Sequence, residues 1–170
     1  MSTIEALAEE FLKQKSFAVS GVTRTKEDAA NLIYRNLKTR GAKVFAVNPN
    51  ATTFDGDPCY PNLSALPEKP DAVVIVNRAG VAMQVLQECA ALGIQWAWTH
   101  CSLGSNPWFF VKGAAPQLGL ASQEMVNFAK ENGITLIPGA CPNMFFDNPA
   151  DGAHRAMRSL LRVTGALKMK

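Results

Sequence analysis

Gly21, Val22, Thr23 and Arg24, within the stretch SFAVSGVTRTKED, sit where a short apolar run gives way to a helix-like segment. A turn of that kind presents free backbone N–H groups and the positive end of a helix dipole, which is chemistry suited to an anion. Thr23 adds a hydroxyl, and Arg24 adds a guanidinium able to fork onto phosphate oxygens. A dinucleotide fingerprint would place three glycines as G-x-G-x-x-G. Here only Gly21 is present.

A second constellation is Val47-Asn48-Pro49-Asn50. An NAD site ends its second strand with a carboxylate that holds the adenosine ribose. This tip has none. Asn48 can still hydrogen-bond a ribose, Pro49 offers a flat apolar surface to an adenine, and the missing negative charge tolerates a phosphate on that ribose. The same residues also read as simple turn chemistry. A third group is His100, Cys101 and Cys141, which end two later strands. If those strands are neighbours, the three residues suit a metal site, a redox pair or a thiolate beside a base, or else two buried thiols next to a packed histidine. Their spacing is no zinc signature. His154 reads as an exposed or core-satisfied helix residue. Trp108-Phe109-Phe110 fits a ligand cover, a subunit contact or core packing equally well.

The elements that must position these residues alternate. Residues 1–14 form an N-terminal amphipathic helix with Ile4, Leu7, Ala8, Phe11 and Leu12 on one stripe and Ser2 with Glu5 as a capping box. Strands are expected at Phe17–Ser20, Lys43–Val47, Ala72–Val76, Ile94–Trp98 and Ile134–Ile137. Helices are expected at Thr25–Arg40, around Val81–Leu92, at Gln117–Asn132 and over residues 149–164, with Gly41, Gly93 and Gly133 as stops. The stretch from Asn48 to about Pro61 reads as turns, and residues 99–115 as a loop. The pattern predicts one α/β domain over residues 1–170, a Rossmann-like doubly wound sheet of about five mainly parallel strands with helices on both faces. Ligands in such sheets bind beyond the carboxyl ends of the strands, where the strand order reverses.

Composition narrows the function. Charged residues make up 18% of the chain and the net charge is +3, too mild and too evenly spread to favour nucleic acid or an anionic membrane. No apolar run approaches the roughly 18 residues of a membrane span, and no signal peptide is visible, so a cytoplasmic location is expected. Four widely spaced cysteines read as free thiols in a reducing compartment.

Taken in order, SGVTR, LIYRNLKTRGAKVFAVNPN, DGDPCYPNLSALPEKPD and AVVIVNRAG resemble the small CoA-binding proteins with a succinyl-CoA-synthetase-like Rossmann domain. The likeness runs from about Phe17 to Cys141, and VNPN, CYPNL and the G-V-T-R turn are its most specific parts. It implies that Gly21, Val22, Thr23 and Arg24 meet the CoA diphosphate. It also implies that Val47, Asn48 and Pro49 flank the adenosine, and that Val76, Asn77 and Arg78 face the adenosine or the pantetheine. Arg24, Arg78 or Lys43 could oppose the 3′-phosphate. The chain departs from the family where Ala79-Gly80 follows Arg78, in the long aromatic loop after Thr99, and in the additional C-terminal helix. The resemblance implies a CoA or acyl-CoA binding protein acting as a non-catalytic carrier, sensor or subunit, with a small-molecule nucleotide ligand and a homodimer or partner subunit compatible with it. Within these 170 residues no histidine-bearing domain of the kind through which succinyl-CoA synthetases transfer phosphate is expected, so ligase chemistry is not implied. The alternative is an NADP-using oxidoreductase or redox sensor on the same frame.

Overall fold

The computed structural model describes residues 3–25, 27–101, 121–146, 152–164 and 167. Its centre is a seven-stranded sheet built from β1 (Ser16–Ser20), β2 (Lys43–Val47), β3 (Thr53–Phe54), β4 (Asp57–Tyr60), β5 (Ala72–Ile75), β6 (Trp96–Thr99) and β7 (Thr135–Pro138). The order across the sheet is β3-β4-β2-β1-β5-β6-β7. All neighbours are parallel except the β3–β4 pair. The α/β doubly wound reading therefore holds, with seven strands in place of about five.

The two additional strands lie in the stretch read as turns. Asp55 and Gly56 both hold positive φ, 50° and 84°, the backbone of a two-residue type I′ hairpin turn. Thr53 pairs with Pro58, and Phe54 with Asp57. Cys59 and Tyr60 then extend the parallel sheet beside Ala46 and Val47. Short length, Pro58 and two aspartates hide this hairpin from a propensity reading.

Alternating strand residues feed two cores. Phe17, Val19, Val74 and Trp98 face a cluster completed by Ile4, Ala8 and Phe11 of α1 (Ile4–Leu12), by Ile33, Tyr34 and Leu37 of α2 (Ala29–Thr39), and by Leu161 of α5 (Gly152–Val163). Ala18, Val73, Ile75 and Ala97 face the other cluster, with Val85, Leu86 and Cys89 of α3 (Ala79–Ala91) and Met125 and Ala129 of α4 (Gln123–Glu131). The helices thus lie on both faces. Burial raises the Cys89 thiol to about 12, so it stays protonated and inert in its core.

Helices α2, α3 and α4 each end two residues before Gly41, Gly93 and Gly133, where positive φ stops them as expected. The starts differ more. Thr3 caps α1 by accepting from the Ala6 N–H at 3.3 Å, while Ser2 lies outside the described residues. Helix α2 begins at Ala29 rather than Thr25, because Asp28 is its cap and accepts from Ala30 and Asn31. The expected helix segments 117–120 and 149–151, and Trp108-Phe109-Phe110, lie outside the described residues. No described helix is long and apolar enough to cross a membrane.

Candidate site at the carboxyl edge of the sheet

The strand order reverses between β1 and β5, so the crevice to examine opens beyond their carboxyl ends. Gly21 leaves β1 there. Its N–H donates to the Val47 carbonyl at 3.0 Å, and it holds φ of +107°. A Cβ at Gly21 would stand 2.5 Å from the Val76 carbonyl oxygen. Glycine is therefore dictated by the segment after β5 as well as by the turn itself.

Two asparagines hold the turn's shape. Asn31, 1% exposed, accepts from the Thr23 N–H at 2.9 Å and donates to the Thr23 carbonyl at 2.8 Å. Asn48 donates to the Val22 carbonyl at 2.5 Å and accepts from the Asn50 N–H at 2.8 Å. The Asn48 amide thus ties the β2 tip to the phosphate-type turn. Sequence reasoning missed Asn31. Its signal was a poor helix former placed on the buried stripe of α2, beside Ala30, Ile33, Tyr34 and Leu37.

Val22 is fully buried, while Arg24 is exposed and Thr23 half-buried. The Thr23 hydroxyl bonds the Thr25 hydroxyl at 2.9 Å and accepts from the Thr25 N–H. Thr23, Arg24 and Thr25 line a depression of about 460 Å³ together with Phe54, Asp55 and Arg35. Arg35 is committed there. It forks onto both Asp55 oxygens at 2.5 and 3.1 Å and onto Glu27 at 2.8 and 3.1 Å. Pro49 is exposed at the β2 tip and Val47 is buried.

The two helix N-termini at the edge differ. The Asp28 carboxylate already occupies the first donors of α2, so an anion at the turn would rely on turn N–H groups and Arg24 rather than on that helix end. Arg78 precedes helix α3 as its N-cap residue and makes no side-chain cap, and the first turn carries no acidic residue. Arg78 is exposed. Asn77, just before it, has a buried Oδ1 without a hydrogen-bond partner among the described residues.

The loops after β6 and β7 do meet. Cys101 bridges Ala140, and its N–H donates to the Ala140 carbonyl at 3.0 Å. Trp98 reinforces the junction by donating from Nε1 to the Gly139 carbonyl at 2.7 Å. Cys101 and Cys141 are buried, 1% and 2% exposed. Among the described residues no group of three or more His, Cys, Asp or Glu could hold a metal ion. His100 donates from its backbone N–H to the Ile75 carbonyl at 2.9 Å. Burial lowers its pKa to about 4, outweighing the raising effect of Asp28 and adding to the lowering effect of His154. At neutral pH it is an uncharged imidazole.

A larger cavity, about 1040 Å³, lies elsewhere, between α1 and α5. Three of its four arginines are engaged: Arg162 and Arg158 with Glu5, Arg158 over the Phe145 ring, and Arg40 over the Phe146 ring. It holds none of the residues expected at the site.

Residues 15–147 match the family model described as CoA binding domain. Among curated relatives, acetate–CoA ligase [ADP-forming] I of Archaeoglobus fulgidus is 29% identical over 130 residues, covering 76% of this chain and 18% of the relative. Acetate–CoA ligase [ADP-forming] II of the same organism is 38% identical over 85 residues, 49% of this chain and 13% of the relative. The chain therefore spans less than a fifth of the length of these relatives. Among solved structures, a hypothetical protein from Pyrococcus horikoshii OT3 shares the fold with a TM-score of 0.67 at 21% identity, over 81% of this chain and 86% of the other. The dinucleotide forming acetyl-coenzyme A synthetase 1 of Ca. Korarchaeum cryptofilum, in its apo form, gives 0.58 at 26% identity, over 76% of this chain and 27% of the other.

Proposed function

From the premise that the chain belongs to the CoA binding domain family, we propose that it binds CoA or acyl-CoA and holds the diphosphate at the Gly21–Arg24 turn. The observation that carries this is the turn's position, at the reversal of strand order and locked from both sides by Asn31 and Asn48. A turn fixed before binding loses little conformational freedom when the ligand arrives.

In this reading the Arg24 guanidinium and the Val22 and Arg24 N–H groups meet the diphosphate, since the Gly21, Thr23 and Thr25 N–H groups already donate within the protein. Val47, Asn48 and Pro49 border the adenosine, and Val76, Asn77 and Arg78 border the start of the pantetheine arm. The β2 tip has no carboxylate, which suits a ligand with a phosphate on its ribose. CoA would supply the thiol chemistry, while this chain's residues bind and orient it. The role is that of a carrier, sensor or subunit, and no residue set is assigned to catalysis.

Calorimetric titration with CoA, 3′-dephospho-CoA and NADP tests the reading. CoA should bind with Kd on the order of micromolar. Removing the 3′-phosphate should weaken binding, and Arg24→Ala should raise the CoA Kd about tenfold, the worth of a charge-assisted hydrogen bond. No heat with CoA alongside tight NADP binding would replace this reading with a nicotinamide one.

A further inference from the structure

The cavity between α1 and α5 lies apart from the nucleotide turn. It shares no lining residue with the depression lined by Thr23, Arg24 and Thr25, and both of its helices fall outside residues 15–147, which carry the family match. Five cations, Lys13, Arg40, Arg155, Arg158 and Arg162, line it against two carboxylates, Glu5 and Glu9. The manner of their pairing leaves donors over. Arg158 and Arg162 both donate from Nε to one oxygen of Glu5, at 3.4 and 2.6 Å. The Nη groups of Arg162 have no hydrogen-bond partner among the described residues, and Arg158 commits one Nη to the Met144 carbonyl at 3.4 Å. Arg155 is exposed, and its guanidinium has no partner among the described residues. Arg158 and Arg40 stand 5.1 and 4.5 Å from the centroids of Phe145 and Phe146, contacts that hold a guanidinium by its face rather than by its N–H edge.

An oxyanion is what such a set lacks. Guanidinium edges take phosphate oxygens in bidentate pairs, and the excess of cations disfavours a cationic ligand. An apolar ligand finds no free ring, since Phe145 and Phe146 are buried, 8% and 2% exposed. Arg155, Arg158 and Arg162 stand at i, i+3 and i+7 on α5, so they form one stripe. At the helical rise that stripe is about 10 Å long. A lone phosphate meets one or two of the three arginines. A linear chain of phosphates runs along all of them, and about 1040 Å³ is room enough for it. We propose that the cavity between α1 and α5 is a second anion site, which takes a small molecule bearing a linear chain of two or more phosphates. Glu5 holds Arg158 and Arg162 by their Nε side and leaves Nη donors to the ligand. The proposal stands independently of the CoA reading.

Calorimetric titration of the full chain with inorganic triphosphate and with orthophosphate tests it. Triphosphate should bind at least about tenfold more tightly than orthophosphate, because it engages more guanidiniums at once. Arg155→Ala and Arg162→Ala should each weaken triphosphate about fivefold to tenfold, the scale of one charge-assisted hydrogen bond, and leave the CoA Kd unchanged. Arg155 has no side-chain partner to lose among the described residues, so its variant keeps the fold. In the wild type, the Arg155 and Arg162 Nε resonances should move with triphosphate while that of Arg24 stays still. Triphosphate no tighter than orthophosphate, or unaffected by both variants, overturns the proposal. So does a shift confined to Arg24, which assigns the heat to the carboxyl edge. ATP binding that is weakened by Arg155→Ala extends the supported site to nucleotides, and triphosphate binding without it restricts the site to the free chain. CoA that fails to bind while triphosphate behaves as expected removes the CoA reading and leaves this one standing.

Discussion

The Gly21–Arg24 turn and a pair of polar atoms, Asn77 Oδ1 and His100 Nε2, lie on one edge of the sheet, yet they are finished differently. At the turn, side chains spend their hydrogen bonds on the protein: Asn31 bonds Thr23 twice, Asn48 bonds Val22 and Asn50, and the Val76 carbonyl fills the space a side chain at Gly21 would need. At the pair, one acceptor and one ring nitrogen are buried without a hydrogen-bond partner among the described residues. The first region is a rigid frame whose shape does not depend on a ligand. The second carries an energetic debt within the free protein. Damage to the frame should therefore show as a loss of stability, and the buried histidine as a dependence of stability on pH.

The strongest way to break this contrast is Gly21→Ala. It forces a Cβ to within 2.5 Å of the Val76 carbonyl at a φ of +107°, and strain with overpacking should cost about 2–4 kcal/mol. Urea unfolding would register this as a lower midpoint at unchanged m-value. A midpoint equal to wild type would mean that β5 yields easily and the frame is not rigid.

Acidification sharpens the other half. His100 titrates at about 4 in the fold against 6.5 when free, so between those values the unfolded chain binds more protons. Its contribution is whole above pH 6.5 and is lost as pH falls through the window, about 3 kcal/mol in total. Asp55, Asp57 and Asp71 are held below the carboxylate value of 3.8, by Arg35, by Lys38 and Tyr34, and by Ser16 respectively. Their losses come at lower pH. His100→Leu should flatten the stability profile between pH 6.5 and 4, and an unflattened profile would remove the buried neutral histidine from the account.

A smaller effect is expected from Asn31→Ala, which leaves the Thr23 N–H and carbonyl without their partner and should cost about 2 kcal/mol. Hydrogen exchange would localise the loss to residues 21–25. Protection unchanged there would show that the turn is held by Asn48 alone.

Much of the frame is legible in the chain. Lys43–Val47 is a strand at the residues its pattern predicts, and the glycine stops of three helices fall where they were read. The β3–β4 hairpin was harder to read because its strands are two and four residues long, too short for alternation to rise above turn residues. Its Asp-Gly pair was the available signal. The start of α2 shifted because Thr25 and Asp28 are both good caps and only the folded chain decides between them. At the site, the Gly21 turn and the Asn48 tip were visible as motifs. Asn31 and the isolation of His100 Nε2 were not, since each depends on what a distant segment brings or fails to bring.

By itself, the sequence determined the α/β class, the succession of strands and helices, the two buried faces and the turn after the first strand. Apolar periodicity and cap chemistry are local, and they write those features into consecutive residues. The tertiary structure decided the rest: that the β5 segment lies against Gly21, that His100 stands beside Ile75, and that Cys101 meets Ala140. Those contacts follow from which strands pair across the sheet, a choice made by long-range burial and hydrogen bonding that no local pattern records.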